Sequence, residues 1–302
     1  MNELIDLVKE REIGKTLENV SMKKYTTYRV GGNARLMIYP KNVDKLIELI
    51  RMCKFRNIKF KVLGNGSNTL FSDKDYDGVI IKLDEFNELS MIGARTIRVG
   101  AGYSLMKLVQ FAVKKNLAGL EFAGGIPGTV GGAIYMNAGA YKSDMGFVVK
   151  RIKVLTPDYH VITLTNNELN FHYRTSFLQT HPGYICLEAI IGLKKGKRAE
   201  LEKVLEERKK RRVESQPLEY PSAGSVFRNP EDNFAGKMIE DVGLKGLERG
   251  GAQISDKHAN FIINKNNATA NDIMTLINLV RDTIKENYGV ELKVEQEFVN
   301  WE

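Results

Sequence analysis

The 302-residue sequence is poor in the residues that build covalent staples and metal sites, with two cysteines and four histidines. Cys53 and Cys186 stand far apart, which argues against a disulfide framework or a cysteine zinc site and fits a reducing cytoplasm. The histidines are scattered without ligand spacing, so no metal is expected. No apolar run approaches the roughly 20 residues of a membrane span. The first stretch, MNELIDLVKEREIG, sets Glu3, Asp6 and Glu10 among apolar residues at helical spacing, which reads as an amphipathic helix and not a signal peptide. Repeats and low-complexity tracts are absent, and so are the GxxxxGK[ST] phosphate loop and the GxSxG nucleophile elbow.

Positive charge is in excess, at a formal +8. Much of it is local: residues 194–214 hold ten lysines and arginines against five glutamates. That pattern reads as a solvated helix with Glu/Lys pairs along its surface. Nucleic-acid binding is the sharper alternative. The stretch has no interleaved aromatics for base stacking, and its glutamates interrupt the basic stripe.

Residues 35–40 read as a strand ending at Pro40. A helix follows with Asn42 as N-cap and Val43, Leu46, Ile47 and Ile50 on one face, and then a strand over 60–63. This is a strand–helix–strand unit of crossover length. Further strands are expected over 78–83 and 96–102, then a helix capped by Ser104 and running through Lys115. A hairpin turns about Pro157 and Asp158, and a long strand ends near 193. The charged helix reads as a bridge to a second domain with helices near 235–242 and 271–287 and a last strand over 291–299. The expected division is residues 1–196, in two lobes of about 1–85 and 86–196, and residues 197–302.

Two loops are dense in glycine. One, VLGNGSNTLFSD (62–73), follows a strand. The other, FAGGIPGTVGGAIYMNAGAY (122–141), holds six glycines in twenty residues, more than a turn requires. Glycine lets a backbone approach a ligand closely and aim successive N–H groups at phosphate oxygens. Thr69 stands where a Rossmann fingerprint has its third glycine. Two such loops suit a pyrophosphate held between them, as in an extended dinucleotide such as FAD.

In this order the chain also carries YTTYRVGGNA, YRTSF, PSAGSVFRNP, AGKMIEDVGLKG and GGAQISDKHANFI. With the two glycine loops these motifs resemble the UDP-N-acetylenolpyruvoylglucosamine reductase family, in register from about Tyr25 to Glu297. The resemblance implies an α+β protein. It would have a bipartite FAD-binding domain of the vanillyl-alcohol oxidase (PCMH) type and a C-terminal α/β substrate-binding domain. It implies noncovalent FAD, NADPH as hydride donor, a UDP-sugar substrate and a role in peptidoglycan precursor synthesis. A cytoplasmic protein is expected, as a monomer, with no nucleic-acid or membrane partner.

Carried over residue by residue, the resemblance places FAD on Gly64, Asn65, Gly66, Ser67, Asn68 and Thr69. It adds Gly125, Ile126, Pro127, Gly128, Thr129, Gly132 and Ala133 from the second loop. The family's arginine falls on Arg174, its acid serine on Ser225 and its last-strand glutamate on Glu295. The usual L-E-P-E-V pattern is here Leu292-Lys293-Val294-Glu295-Gln296. Glu297 is the alternative carboxyl, on the same face if the strand alternates throughout. Tyr141 and Asn229 match substrate contacts. Ser215 stands where many relatives have lysine, and the interval from Arg174 to Ser225 is too short for the inserted tyrosine loop of one branch of the family.

The implied chemistry suits these residue types. Reducing an enolpyruvyl ether adds hydride at the β-carbon and a proton at the α-carbon. Arg174 would steady the carboxylate as it gains charge. Glu295, if protonated, would donate to the same group. Ser225 would protonate the α-carbon. Without the resemblance, a serine in a glycine-rich turn is more often structural. A different FAD-dependent oxidoreductase of the same fold would keep the glycine loops but not the Arg174, Ser225 and Glu295 set.

Overall fold

The computed structural model describes residues 1–301, with Asn2 described through its backbone alone. Residue 302, the end of the expected second domain, lies outside them. The chain divides into two compact units, each drawn from separated segments. One comprises Met1–Glu18, Leu36–Gly64 and Asp77–Lys209; the other comprises Asn19–Arg35, Asn65–Tyr76 and Lys210–Glu302. The expected division near 196 follows a shift in composition and is linear, whereas these packing units interleave along the chain.

The first unit holds two larger sheets. One orders its strands Gly14–Ser21, Asn33–Pro40, Tyr76–Ile81, Phe60–Val62, with Phe60–Val62 and Tyr76–Ile81 parallel. The strand after the crossover helix therefore does not return beside the strand before it; Tyr76–Ile81 is inserted between them. Helix Val43–Phe55 is capped as expected, with Lys45 N–H donating to Asn42 Oδ1 at 3.0 Å, and it buries Leu46, Leu49, Ile50, Met52 and Cys53. The other sheet is antiparallel throughout, in the order Val161–Thr165, Val149–Leu155, Ile185–Gly192, Thr96–Gly100, Leu89–Gly93. Its first two strands form the hairpin expected at Pro157 and Asp158. Ser104 caps helix Leu105–Lys114, accepting from Lys107 N–H.

Helix Arg198–Ser215 is the charged segment. Leu201 is its one buried residue among those described, and pairs such as Lys197–Glu200 (2.9 Å) and Arg198–Glu202 (2.7 Å) run along its exposed surface. Exposed pairs of this kind contribute about 0.2–1 kcal/mol each.

In the second unit, helix Ala270–Tyr288 packs on an antiparallel sheet of Glu248–Arg249, Ala252–Ile254 and Ile262–Asn264. Ile273, Leu276, Ile277, Val280 and Ile284 recur at helical spacing and are buried. Each such burial contributes about 1.5–3 kcal/mol. A capping box of Thr269 and Asp272 starts this helix, and Gly289 at φ +67° ends it. Asp73 adds a second anchor, accepting from the N–H groups of Ala270 (2.9 Å) and Asn271 (3.0 Å).

The last strand is shorter than the sequence suggests. It spans Glu297–Val299 and runs parallel to Thr69–Phe71. Residues 292–296 are not part of it. Val294 makes a single antiparallel bridge to Phe227 before the chain turns. Strand alternation therefore does not relate Glu295 to Glu297.

One charge cluster of the first unit gives a pH prediction. Glu48 accepts from Arg11 at 2.9 Å and from Lys45 at 3.1 Å. The Arg11 bond, more than the Lys45 contacts, holds its carboxyl below the usual carboxylate value. The stabilisation is present above the unfolded value of about 4.3 and is lost as pH falls through the lower folded value. Glu48→Gln is expected to cost about 0.5–1 kcal/mol at neutral pH, with the difference closing in acid, as urea unfolding at several pH values will report.

Candidate active site

The two glycine loops meet in the first unit. A Cβ on Gly64 would lie 2.9 Å from Thr129 Oγ1, so a side chain there would displace Thr129. Thr129 is itself fixed. Its hydroxyl accepts from Gly132 N–H at 3.2 Å as the cap of helix Val130–Tyr135, and its backbone bridges Ser104. On the other side Gly64 O accepts from Lys82 Nζ. Lys82 is buried at 4 % exposure, which lowers its pKa against the opposing pull of Asp84 at 3.4 Å. In the second loop Gly128 has φ +152°, Pro127 is exposed, and Ile126 and Ala133 pack into the core. Ile126 and Ala133 therefore leave mainly backbone to offer a ligand. Gly125 is half-buried in the turn ahead of them.

The rest of the first loop belongs to the second unit. Gly66 at φ +60° is pressed against Tyr25, where a Cβ would come within 2.3 Å of the carbonyl oxygen. Asn65 is exposed and Ser67 half-buried. Thr69 is buried in the strand that pairs with Glu297. Asn68 is tied on both sides to the C-terminal segment: its Nδ2 donates to Glu295 O at 3.0 Å, and its carbonyl accepts from Glu297 N–H at 2.9 Å.

Ser225 and Glu295 lie together in this second unit. Val226, next to Ser225, accepts at its carbonyl from Glu295 N–H at 2.8 Å, and Arg228 N–H donates to Lys293 O at 2.9 Å. Asn260 clamps the other side. Its Oδ1 accepts from Phe227 N–H at 2.9 Å, its Nδ2 donates to Phe227 O at 2.8 Å, and its carbonyl accepts from Val226 N–H. Ser225 and Glu295 are both half-buried. Asn229 is exposed, and its Oδ1 accepts from Ala235 N–H at the start of helix Ala235–Asp241.

Arg174 belongs to the first unit, at φ +54° in a tight turn that His172 and Thr175 close with two backbone hydrogen bonds of 3.0 Å. Asn137 Nδ2 donates to His172 O at 2.7 Å, and Gln179 Nε2 donates to Arg174 O at 3.0 Å and Tyr135 O at 2.7 Å. Ser176 Oγ donates to the same Tyr135 carbonyl. The guanidinium carbon lies 5.1 Å from the Tyr173 ring centre. Tyr141, in the same unit, is exposed at φ +54° and lies beneath the Arg208 guanidinium, 4.5 Å from its ring centre.

Sequence reasoning did not single out Lys82, Asn137, Gln179 or Asn260. Asn137 and Asn260 fall inside recognised motifs, so their positions were signalled. Lys82 and Gln179 had no local signal.

The paired loops fit a bound dinucleotide. Gly64 stands where a Cβ would crowd Thr129, and backbone amides, hydroxyls and the buried Lys82 suit a diphosphate. Gly64→Val is expected to give folded protein that retains no flavin. Circular dichroism and the absorbance of flavin released on denaturation check both halves; normal flavin content would remove Gly64 from the site.

A family model for "FAD binding domain" matches residues 34–165, and one for "UDP-N-acetylenolpyruvoylglucosamine reductase, C-terminal domain" matches residues 216–299. The UDP-N-acetylenolpyruvoylglucosamine reductase of Anoxybacillus flavithermus is 46% identical over 299 residues, 99% of each chain. UDP-N-acetylenolpyruvoylglucosamine reductase 1 of Bacillus cereus is 44% identical over the same length and coverage. The crystal structure of the Thermus caldophilus UDP-N-acetylenolpyruvylglucosamine reductase matches with a TM-score of 0.79 at 34% identity, over 94% of this chain and 98% of that one.

Proposed function

The chain belongs to the UDP-N-acetylenolpyruvoylglucosamine reductase family, and on that premise we propose that Arg174, Ser225 and Glu295 carry its reaction. The fold is α+β, an FAD-binding domain of the vanillyl-alcohol oxidase type followed by a C-terminal domain. The activity is the NADPH-dependent reduction of UDP-N-acetylglucosamine enolpyruvate to UDP-N-acetylmuramate, a step of peptidoglycan precursor synthesis.

FAD, held by the glycine loops at 64–69 and 125–133, would supply the two-electron hydride chemistry that links NADPH to the β-carbon of the enolpyruvyl group. Arg174 pairs with the substrate carboxylate and stabilises the charge that moves onto it. Glu295, as the protonated acid, donates a hydrogen bond to the same carboxylate. Ser225 gives its hydroxyl proton to the α-carbon and regains one from solvent. The observation that carries this reading is the backbone bond from Glu295 to Val226, which sets the carboxyl and the serine on adjoining segments. Gly64, Asn65, Gly66, Ser67, Asn68, Thr69, Gly125, Ile126, Pro127, Gly128, Thr129, Gly132 and Ala133 are assigned to the flavin. Tyr141 and Asn229 are assigned to the nucleotide sugar. By function, residues 1–196 form the FAD-binding domain, which also lends Tyr141 and Arg174 to the substrate, and 197–302 form the substrate-binding domain. A cytoplasmic monomer is the expected form; among the described residues no helix is long and apolar enough to cross a membrane.

The test is NADPH oxidation that depends on the enolpyruvyl UDP-sugar and fails with UDP-N-acetylglucosamine. Within that assay Glu295→Gln is expected to lower turnover far more than Glu297→Gln, because Glu297 is a strand residue opposite Thr69. The reverse ranking would reassign the carboxyl.

A further inference from the structure

Gln296, the residue after Glu295, is 5 % exposed, and its side chain spans two parts of the second unit. Its amide nitrogen donates to the carbonyl oxygens of Ala223 at 3.2 Å and Gly224 at 3.5 Å, the two residues immediately before Ser225. Its amide oxygen accepts from the Tyr28 hydroxyl at 3.1 Å. Tyr28 is fully buried, and burial pushes its phenol far above the usual range despite the Gln296 bond, so the hydroxyl stays protonated and acts as donor. The Tyr28 carbonyl accepts in turn from Asn264 Nδ2 at 3.0 Å, which anchors it to strand Ile262–Asn264.

Gly224 has φ +73°, so the chain reaches Ser225 through a left-handed turn, with open space where its Cβ would stand. Nothing packs against that Cβ position to fix the turn. The carbonyls on either side of its N–Cα–C unit are held instead by one amide, whose orientation Tyr28 fixes.

We propose that Tyr28 and Gln296 are a positioning pair for Ser225: they set the turn from which its hydroxyl reaches the substrate's α-carbon. The same amide follows Glu295 in the chain, so it also ties the Ser225 turn to the carboxyl. This rests on the reading of Ser225 as proton donor. Neither member of the pair is a catalytic residue, because each acts through the backbone of 223–225.

The test uses the FAD-loaded full chain in two stopped-flow half-reactions, for Tyr28→Phe, Gln296→Val and each combined with Ser225→Ala. Tyr28→Phe is expected to leave flavin reduction by NADPH unchanged. It should slow reoxidation by the enolpyruvyl UDP-sugar by about 10–100-fold, the scale of a misplaced group, and raise the solvent isotope effect on that step. In the Ser225→Ala background it should add no further slowing, because the two changes act through one proton transfer. Amide hydrogen exchange of segment 221–228 should accelerate in Tyr28→Phe.

If Ser225→Ala alone leaves reoxidation fast, the proton-donor reading fails. If Ser225→Ala is slow but Tyr28→Phe reoxidises at the wild-type rate, the positioning pair fails and the proton donor stands. Slowing that multiplies in the double variant also overturns the pair, since Tyr28 would then act elsewhere. Should Gln296→Val not fold, Tyr28→Phe, which removes one oxygen and keeps the ring, decides alone.

Discussion

Ser225→Ala is expected to bind FAD and to accept hydride from NADPH at the normal rate, yet to pass it to the enolpyruvyl substrate about 10²–10⁴-fold more slowly, the usual range for loss of a general acid. That corresponds to roughly 3–5 kcal/mol of transition-state stabilisation. The separation follows from the assigned role: the serine hydroxyl is needed only when the α-carbon is protonated. Local structure supports a clean experiment. Val226 and Phe227 are buried; Glu295 N–H and Asn260 O bind the Val226 backbone, the Asn260 side chain binds the Phe227 backbone, and the substitution leaves these bonds in place. Ser225→Cys keeps a proton donor and should recover part of the rate. Equal slowing of both half-reactions would mean that Ser225 positions the nicotinamide or the flavin. No slowing in either would make it a turn residue.

Arg174→Lys is expected to lower turnover by about 10²–10³-fold, the scale seen when a group that stabilises developing charge is lost. Lysine keeps the charge but loses the planar fork that pairs with a carboxylate through two parallel hydrogen bonds. The turn itself should persist. His172 and Thr175 close it through backbone groups, and Asn137 and Gln179 brace it through carbonyls that remain in the variant. Lysine meets the same positive φ that arginine does, so the comparison isolates the guanidinium. A variant with near-normal kcat and KM would reduce Arg174 to a distant counter-charge. Flavin content should be unchanged, which separates this effect from loss of cofactor.

Much of this was legible where chemistry and local backbone coincide. Asn42, Ser104 and the Pro157–Asp158 turn are local signals, and each stands where its sequence indicated. The glycine loops were legible for a related reason, since Gly64 and Gly66 sit where a Cβ meets Thr129 or Tyr25. The last strand was not. Residues 291–299 alternate like one strand, but Val294 bridges Phe227, whereas Glu297–Val299 pairs with Thr69–Phe71. Gln296 makes the change of partner between them, and in the sequence it was only a departure from the family pattern. The compact units were not visible in composition either. Segments 19–35 and 65–76 pack with the C-terminal residues through contacts of long sequence separation, such as Tyr28 with Gln296 and Asp73 with helix Ala270–Tyr288.

The central claim is most directly tested by an anaerobic titration of the purified full chain. FAD should be present in the isolated protein, and NADPH should bleach its visible spectrum. Adding the enolpyruvyl UDP-sugar should then restore the oxidised spectrum with equimolar formation of UDP-N-acetylmuramate, while UDP-N-acetylglucosamine leaves the flavin reduced. Protein whose reduced flavin is reoxidised by oxygen but not by the enolpyruvyl UDP-sugar would contradict the account.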